Sequence, residues 1–105
     1  GSEQSGRRPV IVLSHDAFNQ TSGWRSIIVV PVTTSTSQSR RGPTVVFLPD
    51  GTAGLSEESY AVCHQITTLD RAKQTDRIGS IDTVIMAQIE QALLAAVDIQ
   101  RRPLP

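Results

Sequence analysis

The chain has 105 residues, 38% of them hydrophobic, and one cysteine; this is enough for a single domain with a modest core and excludes an internal disulfide. No apolar run approaches the roughly 20 residues needed to span a bilayer. Ten basic and ten acidic residues leave a net charge of zero, which argues against a broadly basic nucleic-acid binder.

The elements follow in chain order. The run Pro9 to Ser14, PVIVLS, is short, apolar and β-branched, which predicts a mostly buried strand. His15 to Gly23 is polar and predicts a loop. Ser26 to Thr34, SIIVVPVTT, is a second strand signal, and Pro31 within it lacks an N–H and so predicts a bulge or a stop in pairing. Ser35 to Pro43 is rich in Ser, Thr and Arg and predicts an exposed hairpin loop. Thr44 to Leu48 is a third strand, followed by a Pro49-Asp50-Gly51 turn. Ser59 to Val62 and Gln65 to Leu69 read either as two short strands or as one strand with an irregular joint at Cys63-His64. Arg77 to Gly79 adds a brief extended piece.

The period then changes. Ser80 is the expected N-cap, with Asp82 in the first turn, where the helix dipole favours an acid. From Ile81 to about Ile99, the residues Ile85, Ile89, Ala92, Leu93, Ala96 and Val97 recur at helical spacing. Arg101, Arg102, Pro103 and Pro105 end the helix. The expected architecture is mainly β with a C-terminal α-helix: a small, strongly bent antiparallel sheet or barrel with the helix packed on it. One domain over residues 1–100 and a polar tail at 101–105 are expected.

The charge is distributed unevenly. Residues 1–41 carry five arginines against Glu3 and Asp16, a net +3, and residues 42–105 carry the compensating −3. A local arginine-rich face holds phosphates even in a neutral molecule; solvated surface arginines are the equally open alternative. The most informative segment is Gly1-Ser2-Glu3-Gln4-Ser5-Gly6-Arg7-Arg8-Pro9, directly before the first strand. Its glycines let backbone approach a ligand closely. Glu3 supplies a carboxylate and Arg8 a cation, and Pro9 fixes Arg8 at a rigid strand entrance.

This segment resembles the GSEQ-x-G-x-RP motif of the MazF/PemK-type toxins. The similarity continues through the VIVLS strand, through Val30-Pro31-Val32-Thr33-Thr34, and through Cys63-His64-Gln65-Ile66-Thr67-Thr68-Leu69-Asp70-Arg71, and ends in the C-terminal helix. The resemblance implies a small SH3-like barrel of the CcdB/MazF type, a homodimer, and a toxin of a type II toxin–antitoxin system. It further implies sequence-selective cleavage of single-stranded RNA to 2′,3′-cyclic phosphate and 5′-hydroxyl ends, with neither metal nor cofactor. Carried over residue by residue, it assigns the catalytic arginine to Arg8, the catalytic threonine to Thr33 and the motif glutamate to Glu3. Relatives carry an extra strand before the GSEQ motif, so the expectation is a fold lacking the family's first strand, with a looser site.

These residue types suit the chemistry. Internal transesterification of RNA needs the 2′-OH deprotonated, the phosphorane stabilised and the 5′-oxygen protonated. A guanidinium offers forked donors matched to phosphate oxygens, and a hydroxyl adds another donor. Glu3 would accept the 2′-OH proton or orient Arg8. His64 is the other candidate base, since histidine suits proton transfer near neutral pH, although a hydrogen-bonded structural histidine is the more common role.

Gln4, Arg7, Thr34, Arg40, Arg41 and Gln65 complete the expected RNA-binding set. The loop with Arg40 and Arg41 would move over bound RNA and, by the resemblance, meet the antitoxin peptide; solvated charge is the alternative. Trp24 is assigned to core or dimer interface in preference to base stacking, and Phe18 is a second stacking candidate. Two distant histidines and one Cys give no zinc spacing. The polar first six residues show no signal-peptide pattern, so the cytoplasm is the expected compartment. The competing class is a CcdB-type gyrase poison or an inactive antitoxin-binding relative. CcdB-type chains end in aromatic and small apolar residues, unlike Arg101-Arg102-Pro103-Leu104-Pro105.

Overall fold

The computed structural model describes residues 8–14, 20–37, 42–73 and 77–97. Among these residues five strands precede one helix: β1 (Val10–Val12), β2 (Ser26–Thr33), β3 (Val45–Leu48), β4 (Ser59–Val62), β5 (Thr67–Asp70) and α1 (Thr83–Val97). All pairings are antiparallel, in the order β1-β2-β4-β3 with β5 also on β2. The expected mainly β architecture with a C-terminal helix is present. The expected barrel is not closed among the described residues: β1, β3 and β5 each pair with a single neighbour. Among the described residues the path ends at β1 on one side and β3 on the other, and these two strands are not bonded to each other. The tail from residue 98 onward lies outside the described residues.

The eight-residue β2 organises everything else. One edge takes β1, with Ile11 opposite Val30. The other edge takes two strands in succession. Ser26 to Val29 pair with β5, and Val32 and Thr33 pair with β4. The sequence left two strands or one jointed strand open, and the fold combines them: β4 and β5 follow one line along β2, interrupted by a 3-10 turn at Cys63–Gln65. From the Val32–Ala61 pair to the Val29–Thr67 pair, β2 moves back three residues while its partner advances six, so the joint inserts three residues.

Pro31 sits at this interruption. Pro9 carbonyl oxygen accepts from Val32 N–H at 3.1 Å, and Ile28 carbonyl oxygen accepts from Leu13 N–H at 2.8 Å. Alternation along β2 therefore turns the Pro31 nitrogen away from β1, toward the gap between β4 and β5, where no ladder bond is lost. The strand carries proline because its partner is broken there.

The inner face is a single apolar layer. Val32, Ala61 and Val46 lie side by side across β2, β4 and β3, and all three are buried. Helix α1 covers this face with Ile89 and Ala92, while Ile85, Met86 and Leu93 pack at its margin. Fully burying one such branched side chain contributes about 1.5–3 kcal/mol. Asp82 caps the helix, its Oδ1 accepting from Ile85 N–H at 2.8 Å. The expected cap was Ser80; that side chain instead accepts from the Arg77 guanidinium. Both residues suit an N-cap, and the helix begins at Thr83, directly after Asp82. A Cβ at Gly79 would meet the Ala53 carbonyl oxygen at 2.2 Å, so this segment packs backbone against backbone on the Thr52–Gly54 turn.

Candidate active site

The face of the sheet opposite α1 carries a groove of about 390 Å3. Alternation along β2 turns Val29, Pro31 and Thr33 toward it, while Val30 and Val32 support the core. Val62 and Leu69 complete the apolar floor. Arg8 and Pro9 form one wall, held in place because Pro9 is bonded to Val32 and Val10 is paired with Pro31. Gln65 and Thr67 form the opposite wall, placed there by the joint between β4 and β5.

Arg8 and Thr33 thus line one groove although far apart in the chain. Arg8 is exposed at its rim, and Thr33 is half-buried at the end of β2. The Thr33 hydroxyl oxygen accepts from Ser35 N–H at 3.1 Å. That bond occupies a lone pair and leaves the hydroxyl proton available to donate into the groove. The arrangement offers a cation at the rim and a hydroxyl donor at the end of an apolar floor with room for a phosphodiester.

The family resemblance also pointed to neighbours of these two. Gln65 is on the groove wall. His64 is not; its Nδ1 is 2.8 Å from Thr44 Oγ1, in a contact that ties the joint to the turn before β3. Thr34 lies past Thr33 and lines a second cavity with Asp50, Glu57, Glu58 and Tyr60. Glu3, Gln4, Arg7, Arg40, Arg41 and Phe18 lie outside the described residues. Trp24, assigned to core or dimer interface, is 44% exposed in this chain, so it is not core. The loop that carries it is fixed from below instead: the Arg71 guanidinium donates to the carbonyls of Thr21 and Trp24 at 3.0 and 3.1 Å.

Comparison with known proteins decides the family. The model of the family described as PemK-like, MazF-like toxin of type II toxin–antitoxin system matches residues 1–97. The chain belongs to this PemK/MazF family. Endoribonuclease EndoA of Bacillus subtilis is 34% identical over 101 residues, which covers 93% of this chain and 84% of that protein. Endoribonuclease MazF6 of Mycobacterium tuberculosis is 31% identical over 99 residues, covering 94% and 85%. Among solved structures, a mycobacterial endoribonuclease in complex with its cognate antitoxin superposes with a TM-score of 0.75 at 26% identity, covering 96% of this chain and 87% of that one. The M. tuberculosis toxin MazF-mt6 reaches 0.76 at 23% identity, covering 90% and 89%, a likeness of fold.

For a PemK/MazF chain, sequence reasoning found the groove's two chemical groups and one wall residue, and missed its floor. Val62 and Leu69 carry no chemical signature of their own. It also passed over Tyr60, the cross-strand partner of Thr33 on the outer face, and Phe47 on the next strand beyond it. Counting alternate residues through VVFL and SYAV was the available signal.

Proposed function

We propose that this chain is the toxin of a type II toxin–antitoxin pair and acts as a sequence-selective endoribonuclease on single-stranded RNA, without a metal. The observation that carries the reading is the shared groove: Arg8 and Thr33, the two residues the family motif singles out, line the same cleft. The 31–34% identity to curated endoribonucleases over most of the chain supports it.

In this mechanism the scissile phosphate lies between the two walls. The Arg8 guanidinium donates to its non-bridging oxygens, and the Thr33 hydroxyl donates a further bond. The 2′-oxygen attacks phosphorus as its proton leaves to a base, Glu3 being the assigned acceptor. The bond from phosphorus to the 5′-oxygen then breaks, and that oxygen takes up a proton. The products are a 2′,3′-cyclic phosphate and a 5′-hydroxyl. His64 bonds with Thr44 off the groove, which favours Glu3 over it as the base. Gln65 contacts a base or sugar from the opposite wall.

The active form is a cytoplasmic homodimer, and a C-terminal segment of the antitoxin lies across the groove to silence it. The solved antitoxin complex of a similar endoribonuclease supports this partner. No observation favours the gyrase-binding alternative. The decisive experiment is a gel assay on a long RNA in excess EDTA, with the fragment ends mapped. The expected result is discrete fragments with 5′-hydroxyl ends, lost in Arg8→Ala. Intact RNA, or Arg8→Ala cutting as fast as the parent, overturns the assignment.

A further inference from the structure

We infer that the aromatic pair Tyr60 and Phe47, with the cavity beside it, is a nucleobase subsite that sets which nucleotide is accepted next to the scissile bond. This deepens the endoribonuclease reading and rests on it. The argument starts from register. Thr33 is the direct cross-strand partner of Tyr60, and Tyr60 is the direct partner of Phe47. Directly opposed residues in antiparallel strands share a face, so the three form one row across the outer surface. The rings of Tyr60 and Phe47 are tilted at 49° with centroids 5.7 Å apart. Phe47 is 46% exposed on the outer face of the sheet.

Chemistry divides at Thr33. On one side lies the groove with Arg8, suited to the phosphate. On the other lies a cavity of about 450 Å3 walled by Tyr60 and rimmed by Thr34, Asp50, Glu57 and Glu58. Carboxylates repel a phosphate, so this side suits a base and not the backbone. A flat π-face takes any base by stacking, the usual way single strands are held. Carboxylate and hydroxyl rims add discrimination. They accept hydrogen bonds from ring or exocyclic N–H groups, and a purine with adjacent N–H donors satisfies one carboxylate with two bonds. The subsite therefore prefers guanine, and uracil, whose edge is dominated by carbonyl acceptors, is disfavoured.

The test is cleavage of an RNA library randomised around a fixed core, read by sequencing the ends. The parent should show a guanine preference at one position flanking the cut. Tyr60→Leu and, as an exposed substitution that spares the fold, Phe47→Ala should each reduce the cleavage rate of preferred substrates by about fivefold to a hundredfold through KM. Glu57→Gln with Glu58→Gln should flatten the preference at that position and leave the others intact. A parent that cuts RNA with the same preference and KM as all these variants overturns the subsite alone. A parent that cuts no RNA overturns both readings.

Discussion

Replacing Thr33 by valine separates the chemical role of this residue from its structural one. Valine keeps the β-branched shape that suits the end of β2 and removes only the hydroxyl. In the folded chain that hydroxyl does one local task, accepting from Ser35 N–H at 3.1 Å. Ser35 is exposed, so water replaces the lost acceptor and the stability cost stays below about 1 kcal/mol. In a domain of this size that lowers Tm by less than about 8 °C. The proposed catalytic task is larger. Removing one preorganised donor to a developing oxyanion costs about 2.7–4 kcal/mol of transition-state stabilisation, a factor of about 100–1,000 in kcat. Thr33→Val should therefore fold normally and cleave RNA about 100–1,000 times more slowly, whereas Thr33→Ser, which retains the donor, should stay within about tenfold of the parent. Single-turnover cleavage of an end-labelled RNA in EDTA, run well below both melting temperatures, measures this directly. Valine within about threefold of the parent, or serine as slow as valine, would refute the role given to the hydroxyl.

Three further outcomes follow from the same structure. Arg8→Lys keeps the charge and loses the fork, so cleavage should fall by about tenfold or more, with Arg8→Ala lower still in the same assay. Gly79→Ala places a methyl 2.2 Å from the Ala53 carbonyl oxygen, an overpacking worth about 1–3 kcal/mol; an unchanged Tm would show that the turn yields freely. Burial pushes the Cys63 thiol up to about 11 from the usual 9.0. Between those values the unfolded chain releases the proton and the folded chain keeps it, so stability is whole below the lower value and falls by up to about 1.4 kcal/mol per pH unit as pH rises through the window. Urea midpoints compared with Cys63→Ala across that window check the slope, which the variant should lack.

Much of the fold was legible because its determinants are local. The β-branched runs at Val10, Ser26 and Val45 and the helical spacing of Ile85, Ile89 and Ala92 encode their elements within a few residues. Arg8 was legible as a fixed cation at a strand entrance, whereas Thr33 was assigned by the family resemblance alone, because a threonine at a strand end has no chemical signature of its own. Tertiary structure alone decided the rest. No local signal states that β2 is shared end to end by β4 and β5, or that the three-residue joint between them carries Gln65 to the groove and leaves His64 bonded to Thr44. Of the two residues suited to cap the helix, Asp82 does so and the Ser80 hydroxyl is taken by Arg77, a choice that neither residue type announces. Tyr60 came to lie beside Thr33, and Phe47 beside Tyr60, only through cross-strand register, which is set by pairing partners rather than by either strand's own sequence.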